Sequence, residues 1–134
     1  GFIGSPSMNF IACRLVREAG GLAAAADGVR FPIPEAREAL VRHHVDREAV
    51  LGIRPEHIDL ETDAAGARSR AAVSAEVRVV ESAGSEKIVH ASCGGHAIVI
   101  RLDPHTRLKP GETARFTARM ETAHVFDPEG QTLF

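Results

Sequence analysis

Three sets of residues in this chain of 134 have the types that chemistry requires. His43-His44-x-Asp46 groups side chains that bind metals, but adjacent histidines diverge by about 100° on a helix. Neither an H-E-x-x-H nor a paired Cys-x-x-Cys spacing accompanies them, so solvated surface histidines are the stronger reading. Cys93 between His90 and His96 has the composition of a thiol nucleophile with an imidazole base. On one strand, however, Cys93 and His90 are an odd number of residues apart and face opposite sides, and Gly94-Gly95 intervenes before His96. The third set is Arg54 and Glu56, which flank Pro55 with opposite charges. They could pin the corner as an ion pair or reach a neighbouring domain; an exposed pair contributes only about 0–1 kcal/mol, so stability alone does not explain them. No catalytic, cofactor-binding or metal-binding residue is therefore predicted.

The corner itself, Leu51 to Ile58 (L-G-I-R-P-E-H-I), is a hydrophobic run cut by Gly52 and stopped by Pro55. Proline cannot donate to a sheet ladder and pushes Arg54 towards extended geometry, so a strand must end here and turn. Around it the composition is that of an ordinary globular protein, 44% hydrophobic and 25% charged. The net charge of −2, with no Trp or Tyr and six Phe, offers neither the basic groove nor the stacking surface of a single-strand nucleic-acid binder. No apolar run approaches the roughly 20 residues of a membrane-spanning helix. Cys13 and Cys93 read as reduced, half-buried thiols rather than a disulfide. The chain opens on Gly1-Phe2-Ile3 rather than on methionine, which suggests a piece of a longer polypeptide.

The patterning is almost wholly that of strands. Gly4-Ser5-Pro6 is turn chemistry, after which a strand can start at Met8 and place Ile11, Cys13 and Leu15 on one face, with Ala12 and Arg14 opposite. Leu22 to Ala26 could be a helical turn by propensity. Bounded by Gly20-Gly21 and Asp27-Gly28, it reads instead as a strand that returns as Val29 to Ile33. Glu35 to His44 predicts one short helix, with an extended loop as the alternative. Further strands are expected over Val50 to Arg54, Ala72 to Ser82 with a bulge near its end, Lys87 to Cys93, His96 to Leu102, Thr113 to Met120, Val125-Phe126 and Thr132 to Phe134. Asp59 to Ala72 reads as a loop. Roughly eight to ten short strands and one short helix predict an all-β closed barrel or sandwich.

F-I-G-S-P-S-M-N-F at Phe2 to Phe10 and L-G-I-R-P-E-H at Leu51 to His57 resemble the C-terminal region of ATP-binding subunits of ABC importers of the maltose, trehalose and glycerol-phosphate type. Val79-Val80-Glu81 with Gly84-Ser85-Glu86 and Val89-His90, Lys109-Pro110-Gly111-Glu112, and His124-Val125-Phe126-Asp127 with Gly130 resemble later motifs of that family, in order. Glu18 to Arg47 and Asp59 to Arg70 carry no such motif.

The resemblance implies that residues 1–134 form one regulatory and dimerisation domain, the TOBE domain, built on an OB-type β-barrel, with an ATPase domain before residue 1. ATP and Mg would bind that domain; no G-x-x-x-x-G-K-[ST] phosphate cradle occurs here, and no cofactor and no hydrolysis are expected of this piece. Implied partners are a second copy of the subunit, transmembrane permease subunits through the ATPase domain, and a regulatory protein, but no nucleic acid. The implied location is the cytoplasm, peripheral on the inner face of the membrane. Gly4, Ser5, Pro6, Met8 and Asn9 would form the joint to the ATPase core, and Gly52, Arg54, Pro55 and Glu56 a structural or interfacial corner. The alternative function is a barrel that senses a sugar or an oxyanion.

Overall fold

A computed structural model describes residues 6–61 and 71–134. The chain builds one antiparallel sheet from β1 (Asn9–Glu18), β2 (Gly21–Ala26), β3 (Val29–Pro32), β4 (Glu48–Ile53) and β10 (His124–Phe126), in the order β10-β4-β1-β2-β3. A second contains β5 (Ile58–Leu60), β6 (Ala72–Ser82), β7 (Lys87–Cys93), β8 (His96–Leu102) and β9 (Thr113–Ala118), in the order β5-β9-β6-β7-β8. The two curled sheets close as an OB-type β-barrel around one continuous apolar core, to which Leu15, Leu51 and Val125 contribute from the first sheet and Val77, Ile100 and Phe116 from the second.

The period-2 alternation of the sequence becomes this inside and outside. In β1, Ile11, Cys13 and Leu15 are buried while Ala12 and Arg14 are exposed. The alanine run is a strand because Asp27 and Gly28 both take positive φ, 46° and 87°, the geometry a two-residue hairpin turn needs. β2 pairs with β1 on one side and with β3 on the other.

Five expectations need correction. The segment from Asp59 begins as a strand: Ile58, Asp59 and Leu60 pair with Ala118, Thr117 and Phe116 of β9; positions 62–70 lie outside the described residues. The helix at Glu35 to His44 is broken, with only Glu38–Val41 (α1) in α form between two 3-10 turns, because no side chain caps any of the three. The last long strand ends at Ala118, and Met120 turns inward as the start of a 3-10 turn. Thr132 to Phe134 is no strand; Thr132 makes a single bridge to Phe126.

A bulge interrupts β6 between Val77 and Val79, in the middle of the strand rather than near its end as expected. On the β9 side of β6 at the same point the Lys109-Pro110-Gly111-Glu112 turn closes: Gly111 N donates to Val77 O at 2.7 Å and Val77 N donates to Glu112 O at 2.8 Å. Gly111 holds φ at 90°, and the Glu112 carboxylate accepts from Lys109 N at 2.9 Å, so the P-G-E spelling is the turn's own closure.

Candidate functional site

The two motif stretches that carry the resemblance lie side by side. β1 and β4 pair with Asn9 opposite Ile53 and Phe10 opposite Gly52, so the predicted joint and the predicted corner form one region. Gly4 and Ser5 lie outside the described residues. Pro6 is exposed, Met8 half-buried and Asn9 buried.

Asn9 is a clip between the sheets. Its Nδ2 donates to Val99 O and its Oδ1 accepts from Val99 N, both at 2.8 Å. β8 is the edge strand of the second sheet, and the Asn9 amide, which has the donor and acceptor of a peptide group, takes the place of a further strand. Asn9 thus serves the interior rather than a partner surface.

Gly52 is buried because its missing side chain is the pit into which others fold. A Cβ there would stand 2.5 Å from Met8 Sδ and 2.9 Å from Phe126 Cε2. Across that pit Phe126 meets Phe10 edge to face, with ring centroids 5.9 Å apart, and His124 follows at 6.2 Å. Phe10 remains 62% exposed. A cluster of Met8, Phe10, Phe126 and His124 therefore occupies the outward face of a sheet whose other outward residues include Arg14 and Glu48, both exposed.

The corner is where the chain leaves one sheet for the other. β4 belongs to the first and β5 to the second, and a 3-10 turn over Pro55–His57 makes the crossing with Pro55 buried at its start. The return crossing, from β9 to β10, runs directly alongside. Arg119, just beyond β9, ties the two: its backbone N donates to His57 O at 2.9 Å, its Nη2 donates to Glu56 O at 3.2 Å, and its guanidinium grips the Asp59 carboxylate at 2.7 and 2.8 Å. The hydrogen bonds from Arg119 hold the Asp59 carboxyl below its usual range, and the carboxylate in turn raises Arg119.

Arg54 and Glu56 are exposed, and the ion pairs among the described residues do not join them to each other. Glu56 instead contributes a weak field at Arg101, whose main partner is Glu86 at 2.6 Å. The carbonyls of Arg54 and Glu56, rather than their charges, fix the corner. Arg119 was missed by sequence reasoning because its partners lie about 60 positions away and no local spacing marks it.

The thiol and imidazole residues are drawn apart from one another chemically. His90 Nε2 engages Glu81 at 2.7 Å and His96 Nε2 engages Asp27 at 2.9 Å. Burial raises the Cys93 thiol, against thiolate formation. The closing motif also has a structural account. Asp127 Oδ1 accepts from Glu129 N and Gln131 N, Gly130 takes φ 90°, and Val125 receives the chain end through Leu133 N at 2.8 Å. Arg37, beside α1, covers the Phe134 ring at 5.6 Å.

Comparison with known proteins follows this architecture. Residues 4–58 match the model of the MalK OB fold domain and residues 51–126 that of the TOBE domain, more than half of the chain. The two overlap on the corner, where the chain changes sheets. The sn-glycerol-3-phosphate import ATP-binding protein UgpC of Cupriavidus necator is 38% identical over 134 residues, an alignment covering 96% of this chain and 35% of the relative. The sulfoquinovosyl glycerol transport ATP-binding protein SmoE of Agrobacterium fabrum is 37% identical over 127 residues, covering 95% and 33%. The chain thus spans about a third of the length of these relatives. Among solved structures, the cytoplasmic molybdate-binding protein ModG superposes with a TM-score of 0.68 at 17% identity, over 94% of this chain and 99% of that one, a likeness of fold. With the first sheet's strands β1 to β4 inside the one model and the whole second sheet inside the other, the chain belongs to the TOBE domain family, in the form that carries a MalK-type OB fold.

Proposed function

We propose that this chain is the regulatory and dimerisation domain of an ABC importer's ATP-binding subunit, and that the subunit powers uptake of a sugar or a glycerol-phosphate-like solute. Residues 1–134 act as one domain on this reading, behind an ATPase core that binds ATP and Mg and docks on permease subunits at the cytoplasmic face of the membrane. The relatives support it: their names are those of import ATP-binding proteins, and they match this chain over about a third of their length.

The observation that carries the reading is the in-register pairing of Asn9 with Ile53 and Phe10 with Gly52. It makes the point where the chain enters the barrel and the point where it changes sheets a single rigid block. Such a block suits a tether: a two-fold pair of barrels would hold two ATPase cores near one another when they separate between cycles. On this reading Pro6 and Met8 belong to the joint, Asn9 and Gly52 brace it from within, Pro55 fixes the crossing, and the exposed side chains of Arg54 and Glu56 are free to meet a partner or a regulator.

The test is removal of this domain from the full-length subunit. Nucleotide binding and hydrolysis should persist, while dimers in the absence of nucleotide, followed by sedimentation over a range of concentrations, should be lost. Loss of nucleotide binding, or dimers that survive unchanged, would refute the assignment.

A further inference from the structure

We infer that the outward cluster of Met8, Phe10 and Phe126 is the seat of the subunit's own preceding domain, a contact within one polypeptide; the inference rests on the reading above that an ATPase core lies before this barrel. Positions on the outer face of a barrel strand ordinarily meet water and are polar. Here the outward position of β1 nearest the start of the strand is a phenylalanine, 62% exposed and the most exposed of the large apolar side chains among the described residues. It is not isolated: Phe126 supports it edge-on at 5.9 Å, and Met8 fills the pit over Gly52 beside them. A shallow groove continues from Met8 and Phe10 across Ala97 and Val99, with Arg78 and His90 at its margin. An aromatic centre with a polar margin is how protein interfaces are built.

Position along the chain selects the occupant. Phe10 lies nine positions from Gly1, and an extended chain gains at most about 3.6 Å per residue. A core that ended just before residue 1 is therefore tethered within roughly 32 Å of the cluster. A tether that short keeps its cargo at millimolar effective concentration or above, whereas a second copy must reach the same surface by diffusion. Asn9, between Met8 and Phe10, is bonded to Val99 on the far sheet, so the cluster presents a fixed surface to its partner.

The experiment uses the full-length subunit. Hydroxyl-radical footprinting of the unaltered protein reads the oxidation of Met8 and Phe10 against Met120, which is buried in the core, and Leu40, which is exposed on α1. In parallel, the Phe10→Cys and Ser85→Cys variants are alkylated with a small reagent, Ser85 being an exposed turn position. Position 10 should react at least tenfold more slowly than position 85, equally at all protein concentrations, and Met8 and Phe10 should be protected in the unaltered protein. Protection that grows with concentration would assign the surface to a second copy and overturn the inference, as would reaction of position 10 at the rate of position 85 together with free oxidation of Phe10. Nucleotide binding measured on the same samples keeps this separate from the functional reading: a subunit that binds nucleotide but leaves Phe10 open refutes the contact alone.

Discussion

At the scale of the residue, parity along β1 carries most of the information. Positions 9, 11, 13 and 15 point inward, so an asparagine stood in the sequence at a core-facing position, where Asn is disfavoured unless its amide is fully bonded. The sequence thus announces that Asn9 has a partner, but Val99 lies 90 positions away and only the fold supplies it. Asn9→Ala would orphan both backbone groups of Val99, and a loss of about 2 kcal/mol is expected in urea unfolding; an unchanged midpoint would show that the sheets close without the clip. Gly52 is legible as a break in a hydrophobic run, but not as a pit. Gly52→Ala should cost about 1–2 kcal/mol through collision with Met8 and Phe126, and pairing it with Met8→Ala should recover much of that loss in a double-mutant cycle. Cys13 gives a pH dependence. Burial lifts its thiol from the ordinary 9.0 to about 11, against the opposing effect of a backbone hydrogen bond at Leu51. Because the unfolded thiol ionises first, the contribution is whole below pH 9.0 and is lost as pH rises towards about 11. Stability measured across that window should fall less steeply in Cys13→Ala than in the parent.

At the scale of the element, strands were legible wherever alternation ran for five or more residues and a turn signal closed each end, as in β1, β6, β7, β8 and β9. What was not legible had physical causes of another kind. β5 is three residues long and exists because β9 offers it an edge, so no period could declare it. The helical segment broke because its periodicity comes without caps. A bulge in β6 was expected near the strand end from the faltering alternation at Val80; it lies instead at Val77 to Val79, where a turn more than thirty positions downstream sets Gly111 and Glu112 against Val77. That contact is testable: Gly111→Ala forces an L-residue to φ 90° and should cost about 1 kcal/mol. Amide exchange at Val77 should quicken in that variant; unchanged protection there would mean that the bulge is held by β6 alone.

At the scale of the molecule, the barrel was foreseen from the number and spacing of short strands and from motifs spread along the chain, while the division of labour between the sheets was not. The motif at Leu51 to His57 reads locally as a turn; in the fold it is one of two crossings between the sheets, and Arg119 stitches it to the other. No composition or spacing tells which residues of such a crossing serve the interior and which serve a partner. The structure shows the interior part alone: the Pro55 ring is buried, the carbonyls of Arg54 and Glu56 are bonded within the fold, and the charged ends of those two residues are exposed. Replacing both by alanine in the full-length subunit should leave the unfolding midpoint within about 0.5 kcal/mol of the parent, while any change in dimer mass or transport rate would register a lost contact.

The place of β1 in the first sheet has a mechanical consequence. It is the central strand of five, hydrogen-bonded to β2 on one side and β4 on the other, and Asn9 bolts it to the opposite sheet. A pull applied at Pro6 along the strand loads those ladders in shear, many bonds at once, where an edge strand would unzip them singly. A displacement delivered there is therefore passed to both sheets together.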